Sequence, residues 1–273
     1  MALAVGSSVS TKRARYKIVK SLNPGSRGQT YIAKVTKRGA EDSPIPEKGT
    51  PNPCSRKHEE SFLGVGNPRF DHAAFESLHD LKSATREVET IANFYPGHNR
   101  LLVGPRATKD NIRSEIERAD VVHLAMHFIL NGKSEMLSGF PLTPKTPATD
   151  HGSDGFWQSA EIYSLKLPRT RLALLSACQT GIEQQYDAEG AVGAARPFFV
   201  AGVPVVVASL CAVHSDAAAA LMIDLHKHRT RDERPVTQAL RLAKLDMLHG
   251  QDLRYRHPYY WAPFVVVGGL STF

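Results

Sequence analysis

Three short runs carry apolar residues at almost every position: Val121-Val122-His123-Leu124-Ala125-Met126, Leu172-Ala173-Leu174-Leu175-Ser176-Ala177, and residues 203–210. Such runs do not alternate between a wet and a dry face. They read as strands covered on both sides, the pattern of a parallel sheet between helices. The intervening text has helical spacing. Residues 78–94 place Leu81, Ala84, Val88, Ile91 and Ala92 on one stripe, Thr108-Lys109-Asp110-Asn111 starts a helix running to Arg118, and residues 188–200, 215–228 and 235–249 read as three more helices. Shorter strands are expected at 62–66, 101–103 and 264–267. Strands alternating with helices predict an α/β fold with a mostly parallel sheet. Residues 133–168, rich in Gly, Pro and Ser, are expected to form a long loop, and loops of that length usually serve function.

A buried strand in such a sheet delivers its last side chain to the mouth of the fold, where open α/β proteins place reacting groups. The run from Leu172 ends at Cys178, followed at once by Gln179-Thr180-Gly181, and the run from Val121 ends at His127. A thiol and an imidazole at two strand ends are the parts of a cysteine nucleophile and its base. A free thiol, with a pKa near ~8.5, is mostly protonated at neutral pH, so a nearby imidazole is what makes it reactive. The structural alternative, Cys178 as a small buried hydrophobe, is the common fate of free cysteines. Its strand-end position and the matching His127 favour the nucleophile.

Other residues carry weaker signals. His123 and His127 are four apart, but on a strand that places them roughly 13 Å from each other. The glutamate of a metalloprotease helix is absent, since Leu124 follows His123. No metal and no cofactor are expected, and His123 reads as a packed or hydrogen-bonded residue beneath the site. Asp187 and Glu189 could line a pocket for a basic substrate side chain or simply favour a helix N-terminus. His214, His226, His228, His249 and His257 are expected in solvated or capping roles. Cys211 reads as a strand-end packing residue and Cys54 as an exposed linker thiol.

The net charge of +7 is confined to one end: residues 1–60 hold 12 Lys and Arg against 5 Asp and Glu, leaving the remainder neutral. Contact with nucleic acid is therefore not expected except through the basic N-terminal arm. Residues 1–38 form that extension, with room for a short hairpin. Residues 39–60, dense in Pro and charge, read as a linker. Residues 61–273 form the main domain. Three cysteines without a paired motif fit a reducing compartment, and no run approaches the ~20 apolar residues of a membrane span. A cytoplasmic protein without membrane contact is expected.

Four stretches, taken in order, resemble the CHAT domain, a caspase-related peptidase family often joined to tetratricopeptide repeats. They are residues 122–127, residues 175–181, Glu189-Gly190 followed by residues 199–210, and His257-Pro258-Tyr259-Tyr260-Trp261-Ala262-Pro263-Phe264. The resemblance covers residues 62–269. It implies a caspase-like three-layer α/β/α sandwich and a cysteine endopeptidase acting on a protein or peptide, with His127 as base and Cys178 as nucleophile. The backbone amides of Phe128 and Cys178 would then receive the oxyanion. It also implies control by a helical-repeat regulatory protein. Two positions depart from the family: Phe128 stands where Gly commonly follows the histidine, and Cys211 where Trp is usual. These departures leave open a second reading, a catalytically inactive caspase-like interaction or scaffold module.

Overall fold

A computed structural model describes residues 8–10, 14–21, 31–38, 59–145, 155–176, 190–211 and 213–268. Two compact units are present, Met1–Lys57 and His58–Phe273. The described part of the first is an antiparallel sheet of β1 (Ser8–Ser10), β2 (Ala14–Ser21) and β3 (Tyr31–Arg38), in that order.

The second unit is built on six strands: β4 (Phe62–Gly66), β5 (Asn99–Val103), β6 (Val121–Ala125), β9 (Leu172–Leu175), β10 (Val205–Ser209) and β11 (Phe264–Gly268). A small antiparallel pair, β7 (Gly139–Pro141) and β8 (Phe156–Gln158), lies apart from them. The large sheet runs β11-β10-β9-β6-β4-β5; every neighbouring pair is parallel except β10 and β11. The helices are α1 (Lys82–Ala92), α2 (Lys109–Ile116), α3 (Ser159–Tyr163), α4 (Gly190–Val200), α5 (Ser215–Thr230) and α6 (Val236–His249). The architecture is an α/β/α sandwich, as the apolar runs require.

Both faces of the central strands are dry. Leu63, Val65, Val122, Leu124, Ala173, Leu175, Val206 and Ala208 pack with Ile112 and Ile116 of α2 and with Ala195 and Phe198 of α4. Phe62, Val121, Leu172, Leu174, Val205 and Val207 face Ile91 of α1 and Leu221, Met222 and Leu225 of α5. Successive residues thus feed opposite cores, which is why no polar alternation survives in the sequence. Gly66 is demanded by packing: a Cβ there would lie 2.8 Å from the carbonyl oxygen of Ala84 in α1.

Two expectations are corrected. The helix expected from residue 78 begins only at Lys82, because the Leu81 amide is taken by the Asn67 side chain at 2.9 Å and Leu78 closes a turn onto the Phe75 carbonyl. The expected long loop contains β7, β8 and α3; Phe140 and Trp157, both fully buried, tie it to Phe198 and Phe128. Two aromatic anchors outweigh the Gly/Pro content by which the segment reads as loop.

At the N-terminal edge of the sheet, Asp120 joins three strands. Its carboxylate accepts the Ser61 amide at 2.8 Å and the Ser61 hydroxyl at 2.6 Å ahead of β4, and the Arg169 guanidinium at 3.1 and 3.2 Å ahead of β9. Its carbonyl accepts the Arg171 amide at 2.8 Å. Burial alone would raise the Asp120 pKa, but the hydrogen bonds from Arg169 and Ser61 outweigh it and hold the carboxyl below its ordinary value. Removing this acceptor orphans the Ser61 amide, the hydroxyl keeping the Arg118 carbonyl at 2.8 Å, and such a loss costs about 1–3 kcal/mol. Asp120→Ala is therefore expected to lower the unfolding free energy by about that amount in urea titrations at pH 7. Because the folded pKa is depressed, the contribution is present above the unfolded value and fades as pH falls through the folded one.

Candidate active site

His127 follows β6 by two residues and is buried, with 4% of its surface exposed. Its Nε2 lies 2.7 Å from the carbonyl oxygen of His79, in the segment leading into α1. A carbonyl only accepts, so Nε2 carries the proton and Nδ1 holds the imidazole's lone pair. The Phe70 ring meets the imidazole edge-on, with centroids 5.6 Å apart. Burial depresses the His127 pKa and outweighs the His79 carbonyl and the nearby Asp80 charge, both of which favour the proton. At neutral pH the ring is a neutral base with a fixed tautomer.

Phe128 is buried, its ring against Phe140 with centroids 4.9 Å apart. Among the described residues only Asn67 (46°) and Glu233 (51°) combine a side chain beyond glycine with positive φ. The backbone at Phe128 therefore lies in the region open to any residue, and the change from Gly carries no conformational cost there. Parallel pairing aligns Leu124 of β6 with Leu175 of β9. His127 is the third residue after Leu124, and Cys178 the third after Leu175. Ser176, two positions before Cys178, is buried. Cys178, Asp187 and Glu189 lie outside the described residues, as does Cys54. The described parts of the two strands thus end at the same sheet edge.

His123 faces the α1 and α5 side with no exposed surface. Its Nε2 is 2.8 Å from Glu87 and its Nδ1 is 3.2 Å from His226 Nε2. Cys211 corrects an expectation, being exposed beyond the end of β10 rather than packed. Of the helix and turn histidines, His257 caps, accepting the Tyr259 amide at 3.2 Å. His226 and His228 do not fit the solvated or capping expectation. His226 is fully buried. His228 lies 2.6 Å from both Asp232 and Asp246, and although burial opposes its charge, those carboxylates hold its pKa above the ordinary value.

The signal for the buried cluster is present in the sequence as Glu87, a carboxylate within the apolar stripe of Ala84, Val88 and Ile91. At the opposite sheet edge a cleft of about 480 Å³ is lined by Arg100, Arg118, Arg169 and Glu115. Two of its guanidiniums are answered within the protein, Arg169 by Asp120 and Arg100 by Glu115 at 3.7 Å. Such a cleft sits at the strands' N-terminal edge, away from His127, and its charges read as structural.

Comparison with known proteins places these features in context. The profile of the CHAT domain matches residues 27–269. Human tetratricopeptide repeat protein 28 is 24% identical over 253 residues, covering 80% of this chain and 10% of that protein, so the chain spans about a tenth of its curated relative's length. The chain is also similar to a number of solved structures, two of which follow. The Arg-specific cysteine proteinase gingipain R has a TM-score of 0.47 and 13% identity, covering 79% of this chain and 50% of that one. The complex of Porphyromonas gingivalis RgpB pro- and mature domains has a TM-score of 0.48 and 12% identity, covering 78% and 48%.

The imidazole geometry has a direct spectroscopic consequence. In ¹⁵N–¹H correlation spectra at pH 7, His127 is expected with Nε2 protonated and Nδ1 unprotonated, and to titrate below the ordinary histidine range. A ring charged at pH 7, or one protonated on Nδ1, would contradict the assignment.

Proposed function

The chain belongs to the CHAT domain family, and from that premise we propose that its main domain is a cysteine endopeptidase working through Cys178 and His127. The observation that carries the reading is the bond from His127 Nε2 to the His79 carbonyl. It gives the ring a fixed orientation and leaves the lone pair on Nδ1, the nitrogen that would take the thiol proton. The shared sheet edge of β6 and β9 supports the pairing, since the chain beyond β9 leads to Cys178 within three residues.

In this proposal Nδ1 of His127 accepts the Cys178 proton, and the thiolate attacks the carbonyl carbon of the scissile bond. The Phe128 and Cys178 amides receive the developing oxyanion. His127 returns the proton to the departing amine, and water then hydrolyses the thioester with the same imidazole as base. His79 acts as a positioning residue through its backbone carbonyl. Asp187 and Glu189 are proposed to line a pocket for a basic side chain, Glu189 from the position just ahead of α4.

No helix among the described residues is long and apolar enough to cross a membrane, and we propose a cytoplasmic setting. The name of the human relative supports a helical-repeat protein or segment as the regulatory partner. Residues 1–38 are proposed to serve as a basic arm and residues 39–60 as a linker whose last residue, Glu60, is anchored to Arg229.

Profiling the full chain against a peptide library tests the reading. Cys178→Ala is expected to abolish cleavage, and His127→Ala to reduce it by about 10²–10⁴-fold, the usual worth of a positioned general base. Unchanged cleavage by Cys178→Ala would remove the proposed nucleophile. Should no peptide be cut, labelling with a thiol-directed electrophile decides. Selective modification of Cys178 below neutral pH, lost in His127→Ala, supports the enzyme, whereas equal labelling of all cysteines supports the scaffold.

A further inference from the structure

Six polar side chains form a single file through the core beneath α1 and α5. Glu60, ahead of β4, pairs with both terminal nitrogens of Arg229 in α5, one of them at 2.7 Å. Arg229 reaches the Tyr95 hydroxyl at 3.1 Å. Tyr95 Oη is 2.7 Å from His226 Nδ1, His226 Nε2 is 3.2 Å from His123 Nδ1, and His123 Nε2 is 2.8 Å from Glu87. Tyr95, His123, His226 and Glu87 are buried, and the Arg229 side chain is 7% exposed.

The ends of the file dictate the direction of every proton within it. A guanidinium only donates, so the Tyr95 oxygen accepts from Arg229 and its hydroxyl proton points to His226 Nδ1. His226 must then be protonated on Nε2 and donate to His123 Nδ1. His123 in turn is protonated on Nε2 and donates to the Glu87 carboxylate. One pattern satisfies all five contacts and also gives the Tyr95 hydroxyl proton an acceptor, and in it both histidines are neutral. An added proton on either ring sets two donors face to face, or reverses the file and turns the Tyr95 hydroxyl proton away from its acceptor. In a dry interior that mismatch is expensive.

We propose that this file is an acid-sensitive latch, which fastens α5 to the α1 side of the sheet while both histidines are neutral and releases it when His226 is protonated. Around His226 no carboxylate stands within hydrogen-bond reach to answer the added charge, its ring nitrogens meeting Tyr95 and His123 while Glu87 lies against His123. The buried positions of α6 are Val236, Ala239, Leu240, Ala243 and Met247, and β9 and β10 present Leu172, Leu174, Val205 and Val207. Phe62 of β4 covers Tyr95 by stacking at 4.7 Å and meets His226 edge-on at 5.9 Å. Charged groups facing the two rings are therefore Glu87 from α1, Arg229 from α5 itself and Glu60 behind it. Burial, His123 and Arg229 all depress the His226 pKa. The unfolded chain thus takes a proton near pH ~6.5 that the folded chain refuses, and stability falls as pH drops below that value.

Urea unfolding of the full chain between pH 7.5 and 5 tests the latch by comparing wild type with His226→Gln. Below pH ~6 the wild-type unfolding constant is expected to rise about tenfold per pH unit more steeply than the variant's, the linkage of one proton. His228, whose raised pKa acts in the opposite sense, is common to both proteins. Parallel pH profiles would overturn the proposal. Two measurements on wild type stand apart from the variant's ability to fold. Imidazole ¹⁵N spectra at pH 7 should show both rings neutral and protonated on Nε2; a charged ring or the opposite tautomer would refute the file. Amide exchange at pH 5.5, corrected for intrinsic rates, should show α5 losing protection before β9 and β10, and uniform loss would refute release. None of these readouts depends on peptidase activity.

Discussion

Asp120 fixes the frame on which the rest of the sandwich is hung. One carboxylate and one carbonyl hold the entries of β4, β6 and β9 level at the N-terminal edge. In a parallel sheet a level start means a level finish, because each residue advances every strand by nearly the same ~3.3 Å. The pairing of Leu124 with Leu175 follows, and so does the common edge at which β6 hands over to His127. A one-residue slip in either strand would exchange its two faces and bury the wrong side chains. The apolar contacts on both faces make that register costly to change, and Asp120 makes it specific.

On this frame the two ends of the sheet divide their work. The N-terminal edge spends its charges internally, on Asp120 with Arg169 and Glu115 with Arg100. At the C-terminal edge, His127 is oriented by a backbone carbonyl, a partner that neither titrates nor adds charge. That choice leaves burial as the main influence on the ring, and burial favours its neutral form. The domain holds a direct contrast on α5, where paired carboxylates favour the proton on His228 while burial beside Phe62 and Arg229 disfavours it on His226.

The layer between α1 and α5 is unusual in placing a file of ionisable groups where hydrocarbon would pack. Replacing such groups by apolar ones is often neutral for stability, so the file contributes direction and condition rather than strength. A guanidinium paired with Glu60 stands at one end and the Glu87 carboxylate at the other, with neutral relays between them, and this order removes any clash of donors. Phe62, by stacking on Tyr95, excludes water from the middle of the file.

The strands, most helices and the place of His127 after a strand were legible in the chain, because burial on both faces writes itself as unbroken apolar runs and the residue that follows such a run has one place to go. Thr108 likewise announced α2, where its hydroxyl accepts the Asn111 amide. The start of α1 was not legible, since the Asn67 side chain that captures Leu81 lies 14 positions away. Of the buried file Glu87 was marked, by its place in an apolar stripe, but its connections were not, since the members span residues 60 to 229 and share no spacing rule. Sequence by itself determined which segments must be covered and therefore the layered fold. Only tertiary structure decided which nitrogen of His127 carries the proton, which histidines stay neutral, and which carboxylate answers which cation, because those choices depend on distances of about 3 Å between groups far apart along the chain.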